Sequence, residues 1–126
     1  MKMRVISTNK SPAAIGPYSQ AIHAGNLLFC SGQIPLEPVS GEIVAGDISK
    51  QTEQVMENVA AVLSAAGAGF SDVVKTTIFL VNMNDFGAVN EVYGRYFSTH
   101  HPARSTVAVK ALPRGVMVEI EVIACS

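Results

Sequence analysis

Pro102-Ala103-Arg104-Ser105-Thr106-Val107-Ala108-Val109 is the stretch on which the reading of this chain turns. Its small and β-branched residues predict a strand with Arg104 at its mouth. The turn signal Leu112-Pro113-Arg114-Gly115 follows, then Val116-Met117-Val118-Glu119-Ile120-Glu121-Val122-Ile123. That last segment carries acids on alternate positions, so Glu119 and Glu121 share one face of a strand. Two apolar strands joined by a short turn read as a β-hairpin bent at Pro113-Arg114-Gly115. Such a hairpin sets Arg104 beside Glu119 and Glu121 on an apolar sheet. A buried or half-buried guanidinium facing a carboxylate costs desolvation energy, so it calls for a partner or a task. The pair suits an anionic small molecule, with the guanidinium on the anion and the acid free to handle water or a proton. A structural salt bridge at a subunit contact is the plainer use of the same groups.

Working outward, a first strand is expected at Arg4 to Ser7, followed by a Pro/Gly-rich loop over Ser11 to Gln20. Strands at Ala21–Ala24 and Leu27–Ser31 flank Gly25-Asn26, a hairpin turn signal. Gly32-Gln33-Ile34-Pro35 leads into a loop closed by Pro38-Val39-Ser40-Gly41. Asp47 to Ala66 reads as an amphipathic helix, capped by Asp47 or Ser49 and stopped by Gly67 or Gly69. Val73 to Val81 is a β-branched strand. A second helix runs from Asn84 or Asp85 to Ser98, where His100-His101-Pro102 stops it. The order ββ(β)-α-β-α-ββ predicts a mixed sheet of five or six strands with two helices packed on it. Two helices cover only one face, which leaves the other for a second subunit.

Composition agrees. The 126 residues suit one domain over 1–126. The chain is 48% hydrophobic and only 15% charged, against roughly 25% charged in an average soluble domain. A small domain cannot hide that much apolar surface alone, so an obligate oligomer is expected. Net charge is −1 and Lys and Arg do not cluster, which argues against nucleic acid or anionic membrane as primary partners. Cys30 and Cys125 lie in apolar, strand-like contexts and read as reduced core thiols. No apolar run approaches the ~18–20 residues that span a bilayer. The first ten residues lack the apolar core of a secretory signal, so a cytoplasmic location is expected.

No dinucleotide, phosphate-loop, zinc-protease or serine-hydrolase motif occurs. His100 and His101 are adjacent, so they cannot share one helix face as paired metal ligands. His23 reads as a surface or edge residue. Lys75, heading Lys75-Thr76-Thr77, is either an imine-forming amine or, more plainly, a snorkelling or salt-bridged strand end. Tyr18, Ser19, Ser31, Gly32, Gln33 and Asn90 stand at element ends or on the second helix. Each has a structural use as loop anchor, turn former or helix–sheet hydrogen bond, and each is a candidate for the site.

Several stretches together carry a resemblance. They are Ala14-Ile15-Gly16-Pro17-Tyr18-Ser19-Gln20-Ala21, Ser31-Gly32-Gln33-Ile34-Pro35, Val74-Lys75-Thr76-Thr77, and Asn84-Asp85-Phe86 with Val89-Asn90. Pro102-Ala103-Arg104-Ser105 followed by Val118-Glu119-Ile120-Glu121 completes the set. Over essentially its whole length the chain resembles the Rid (YjgF) family, close to its RidA branch. The resemblance implies the chorismate-mutase-like α+β fold and a homotrimer with active sites in the clefts between subunits. It implies hydrolysis of reactive 2-imino acids or their enamines, such as 2-iminobutanoate and 2-iminopropanoate, to 2-keto acids and ammonia. It also implies a functional link to pyridoxal-phosphate dehydratases that release such compounds, and no cofactor or metal. Arg104 would grip the substrate carboxylate and the main chain of Thr106 would help. Glu119 would activate water, Tyr18 and Asn90 would close the cleft, and Ser31 and Gly32 would line it. Many relatives carry Cys where Thr106 stands, a mild change if that position acts through its main chain. Glu121 shares the face of Glu119 and stays a second candidate for the working acid. Two other roles stand beside hydrolysis: an endoribonuclease or translation inhibitor, and a non-catalytic keto-acid sensor or chaperone.

Overall fold

The computed structural model describes residues 2–126. Six strands form one mixed sheet: β1 (Met3–Ile6), β2 (Ala21–Ala24), β3 (Leu27–Cys30), β4 (Val73–Leu80), β5 (Ala103–Ala108) and β6 (Val118–Cys125). Their order across the sheet is β1-β2-β3-β6-β4-β5. Every neighbouring pair is antiparallel except β4 and β5. Two helices, α1 (Ile48–Ala65) and α2 (Phe86–Tyr96), pack on one face.

Local signals set the elements. The Asp47 side chain accepts from the Lys50 N–H at 3.0 Å and caps α1. Gly67 ends it at φ 77°, with the Gly67 and Ala68 N–H groups donating to Ser64 O and Leu63 O. That pairing is a Schellman closure, which needs a residue tolerant of left-handed backbone. Alternate residues of β4 and β6, among them Ile78, Leu80, Val118, Ile120 and Val122, are buried against Val55, Val59, Val62 and Leu63 of α1. Full burial of each such side chain stabilises the fold by about 1.5–3 kcal/mol. The α2 helix is shorter than expected, because Met83–Asp85 forms a separate 3-10 turn before it.

The Arg104 segment and the Glu119 segment do not form a hairpin. β4 lies between them, pairing parallel with β5 and antiparallel with β6. Two causes act together. The α2 crossover returns the chain to the same end of the sheet from which β4 started, which makes β5 parallel to β4. β4 also buries every second residue from Thr76 to Leu80, whereas β5 is exposed at five of six positions, so β4 takes the interior place and polar β5 the edge. The turn at Pro113–Gly115 then lets the chain pass the end of β4 to reach β6. Cys125 is a second correction. It is exposed on the last strand, whereas Cys30 is buried and its thiol is pushed up to about 12 by desolvation.

Candidate functional site

Register decides which way each side chain points. Arg104 is aligned with Thr76 of β4, and Thr106 with Ile78. Thr76 and Ile78 are buried on the helix-covered face, and Thr76 Oγ1 shares a 2.8 Å hydrogen bond with Tyr93 Oη of α2. Arg104 therefore rises on the helix side of an edge strand. Its guanidinium lies 5.3 Å from the Phe86 ring centre and 5.0 Å from that of Tyr93, both on or at the start of α2. Cation–π contacts of this kind hold the guanidinium plane. One Nη1 donates to Asn90 Oδ1 at 2.6 Å. Arg104 is exposed in the single chain rather than buried, and no carboxylate pairs with it among the described residues. With one N–H engaged, the rest of its five-donor fork is open to an anion. It borders a cavity of about 560 Å³, shared with Asn90, Tyr93, Phe97 and His101.

Thr106 lies next to it on the same face. The Val109 N–H donates inward to Leu80 O at 2.7 Å. Alternation along β5 turns the Thr106 N–H outward, toward the unpaired edge of the sheet. Its side-chain Oγ1 is buried without a hydrogen-bond partner.

Glu119 is aligned with Phe79, and Glu121 with Thr77, on the face that the helices leave open. Gly32-Gln33 runs beside β6 through the Gln33–Ile120 bridge, with N···O distances of 2.9 and 3.1 Å. The Glu119 side chain lies over Gly32, where any Cβ would overlap the carboxylate and stand 2.9 Å from its Cδ. That close approach is what glycine supplies. Glu119 is half-buried. Desolvation, and then the neighbouring Glu121 charge, hold its carboxyl above the usual range. Gly32 also borders a second cavity, of about 240 Å³, with Tyr18, Ile34 and Pro113. Ser31, one residue before Gly32, is held by its Oγ donating to Ser19 O at 2.6 Å.

The expected residues thus form two groups in one chain. Arg104, Asn90 and Thr106 lie by the helix-side edge; Tyr18, Ser31, Gly32 and Glu119 border the open face. Arg104 does not face Glu119 or Glu121, because they lie on opposite faces of the sheet. Several contributors were missed. Phe86 and Tyr93, neither of them a site candidate from the sequence, lie with their rings against Arg104. Ser11, Gln20 and Asn58, together with the candidate Gln33, are buried and hold the loops around the second cavity. Gln20 Nε2 donates to Pro12 O at 2.8 Å, Ser11 Oγ to Gln33 Oε1 at 3.2 Å, and Asn58 Nδ2 to Leu36 O at 3.0 Å. A run of polar residues at element ends is the only sequence signal for this network.

The remaining candidates have structural partners. His100 Nε2 lies 2.6 Å from Val73 O, His23 Nε2 2.7 Å from Ser126 Oγ, and Lys75 Nζ donates to Ser105 Oγ at 2.9 Å. Among the described residues, no cluster of His, Cys, Asp and Glu suits a metal, and no helix is long and apolar enough to cross a membrane.

Comparison with known proteins adds a family context. The sequence profile described as "Endoribonuclease L-PSP" matches residues 8–126. A RutC family protein of Pyrococcus horikoshii is 57% identical, over 95% of this chain and 95% of that protein. The 2-iminobutanoate/2-iminopropanoate deaminase of Mus musculus is 52% identical, over 96% of this chain and 90% of its own length. The crystal structure of E. coli TdcF with bound serine superposes with a TM-score of 0.93, at 44% identity over 98% of both chains.

Proposed function

The chain belongs to the endoribonuclease L-PSP family, the Rid (YjgF) group, and from that membership and its two half-sites we propose that it hydrolyses 2-imino acids to 2-keto acids and ammonia. One observation carries the reading. A guanidinium free of any carboxylate borders one cavity, and an acid with a raised pKa lies over Gly32, which borders another, on the opposite face of the same sheet. They meet only if the β5 edge of one copy lies against the open face of another. The open face suits that contact, since Phe29 and Val107 are 44% and 41% exposed there. The resemblance to the Rid family sets this contact in a homotrimer with three shared sites.

In this arrangement Arg104 takes the substrate carboxylate through parallel N–H···O bonds, and Phe86, Tyr93 and Asn90 fix its orientation. The outward N–H of Thr106 supplies a further donor. Glu119, from the neighbouring copy, accepts a proton as water adds to the imine carbon. The substrate reacts as the protonated iminium, so the C=N π pair becomes the nitrogen lone pair and a neutral carbinolamine forms. Glu119 returns its proton to nitrogen, the C–N bond breaks with ammonia leaving, and the hydroxyl gives its proton back to the Glu119 carboxylate as the C=O bond forms. Water is consumed and nothing is oxidised. An imine carbon is already electrophilic, so orientation and one placed water carry most of the task. The related TdcF of E. coli holds a bound serine in its crystal structure, which supports a small amino-acid-derived ligand.

Coupling to a threonine dehydratase with semicarbazide as trap tests the proposal. The protein should speed keto acid formation and suppress trapping, and Arg104→Ala should remove at least about 100-fold of the effect. Unchanged trapping with wild-type protein would refute hydrolysis and favour a keto-acid sensor. RNA cleavage that survives Arg104→Ala would favour the ribonuclease role.

A further inference from the structure

Lys75 and Glu121 stand near each other on the open face of the sheet. Alternation on β4 turns Lys75, Thr77 and Phe79 away from the helices, since Thr76, Ile78 and Leu80 are buried beneath them. On β6 the same alternation leaves Glu121 and Ile123 on that face. Register sets Thr77 opposite Glu121 and Lys75 opposite Ile123. The two charges are therefore diagonal neighbours, about 7–8 Å apart along the backbone rather than in contact. With Phe29 and Ile123 they border a depression of about 140 Å³. Val107, opposite Phe79, extends the apolar surface around them.

Neither charge is matched within the chain. Lys75 Nζ donates to Ser105 Oγ at 2.9 Å, which leaves two of its three donors open. Glu121 is exposed, and the ion pairs among the described residues lie on α1 and α2, away from this face. An apolar partner covering the face would strip water from both charges and return nothing to them. A partner that brings the opposite charge to each offsets that loss. A second copy of this chain does so, because one surface carries a charge of each sign. Lys75 and Ser105 lie beside the edge that carries Arg104, on the other side of the sheet from its guanidinium. Glu121 is one side-chain repeat from Glu119, about 6.6–6.8 Å along β6. A contact that brings Arg104 of one copy to Glu119 of the next thus carries Lys75 toward the neighbour's Glu121.

We propose that Lys75 of each copy pairs with Glu121 of the next, and that this pair selects a second copy of the chain and sets the direction in which it docks. The inference rests on the reading that Arg104 and Glu119 are joined between copies. In a head-to-tail ring one such pair closes every contact.

Charge reversal and mixing test the pair, read by sedimentation equilibrium and native mass spectrometry at low salt. Lys75→Glu and Glu121→Lys should each raise the concentration at which the trimer dissociates about ten-fold or more, with an unchanged circular-dichroism spectrum. The double variant Lys75→Glu/Glu121→Lys should return to within about three-fold of wild type. Lys75→Gln and Glu121→Gln remove charge without repulsion. Each should weaken the trimer less than its reversal, and combining them should weaken it no further. Mixing the two single reversals in equal amounts separates pairing between copies from pairing within one. Every contact between unlike copies then joins opposite charges, so mixed trimers should exceed the roughly three quarters expected of random association. Mixed trimers at or below that share, reversals that associate like wild type, or a double variant no better than the single ones would refute the pair alone. A wild-type protein that stays monomeric at every concentration would refute the shared site itself.

Discussion

At the scale of single residues, Glu119 carries the sharpest consequence. Burial, with Glu121 beside it, raises its pKa in the folded chain. The native protein then binds more protons than the unfolded chain between the ordinary carboxylate range and the raised value, so this group's contribution to stability falls as pH rises through that window. Glu119→Gln should melt at a higher temperature than wild type at pH 7.5, and the gap should close below about pH 4 in calorimetry. Glu121→Gln should lower the pKa of Glu119 and move the acid limb of the rate profile to lower pH. An unmoved profile would remove Glu121 from that role. Arg104 stands out in the sequence as a candidate anion receptor, but its surroundings were not legible. The acids expected beside it face the other way, and the aromatic rings that hold it, Phe86 and Tyr93, come from the helix before it in the chain.

At the scale of elements, local chemistry was readable and long-range pairing was not. The Asp47 cap, the Gly67 stop and the Gly25-Asn26 turn each act within a few residues, and each fell where the sequence placed it. The order β6-β4-β5 depends on which strand buries more surface, a competition between β4 and β5, segments far apart in the chain. A short turn signal at Pro113 therefore misled, since a chain can use the same turn to pass a strand end. Helix α1 shows the same limit. Asn58 reads as a polar position, yet it is fully buried and holds the main chain at Ile34 and Leu36. Asn58→Ala removes both bonds, leaves the Leu36 carbonyl without this donor while Ile34 O keeps the Leu36 N–H, and should cost about 1–2 kcal/mol in urea unfolding. A change below about 0.5 kcal/mol would mean the loop does not depend on it.

At the scale of the whole molecule, composition and architecture meet on one point. A chain with 15% charged residues leaves one sheet face without helices, and that face carries Glu119. The edge strand beside α2 carries Arg104. Neither group has its counterpart within the chain, so catalysis by this pair requires two copies. Subunit mixing measures this most directly. Arg104→Ala and Glu119→Ala should each be nearly inactive alone. Unfolded together in equal amounts and refolded, they should regain about one quarter of wild-type turnover, since a random neighbour pair supplies both intact groups with probability about one half times one half. Activity no higher than that of either variant alone, in mixed trimers shown to have formed, would mean that the site does not join Arg104 of one copy to Glu119 of the next.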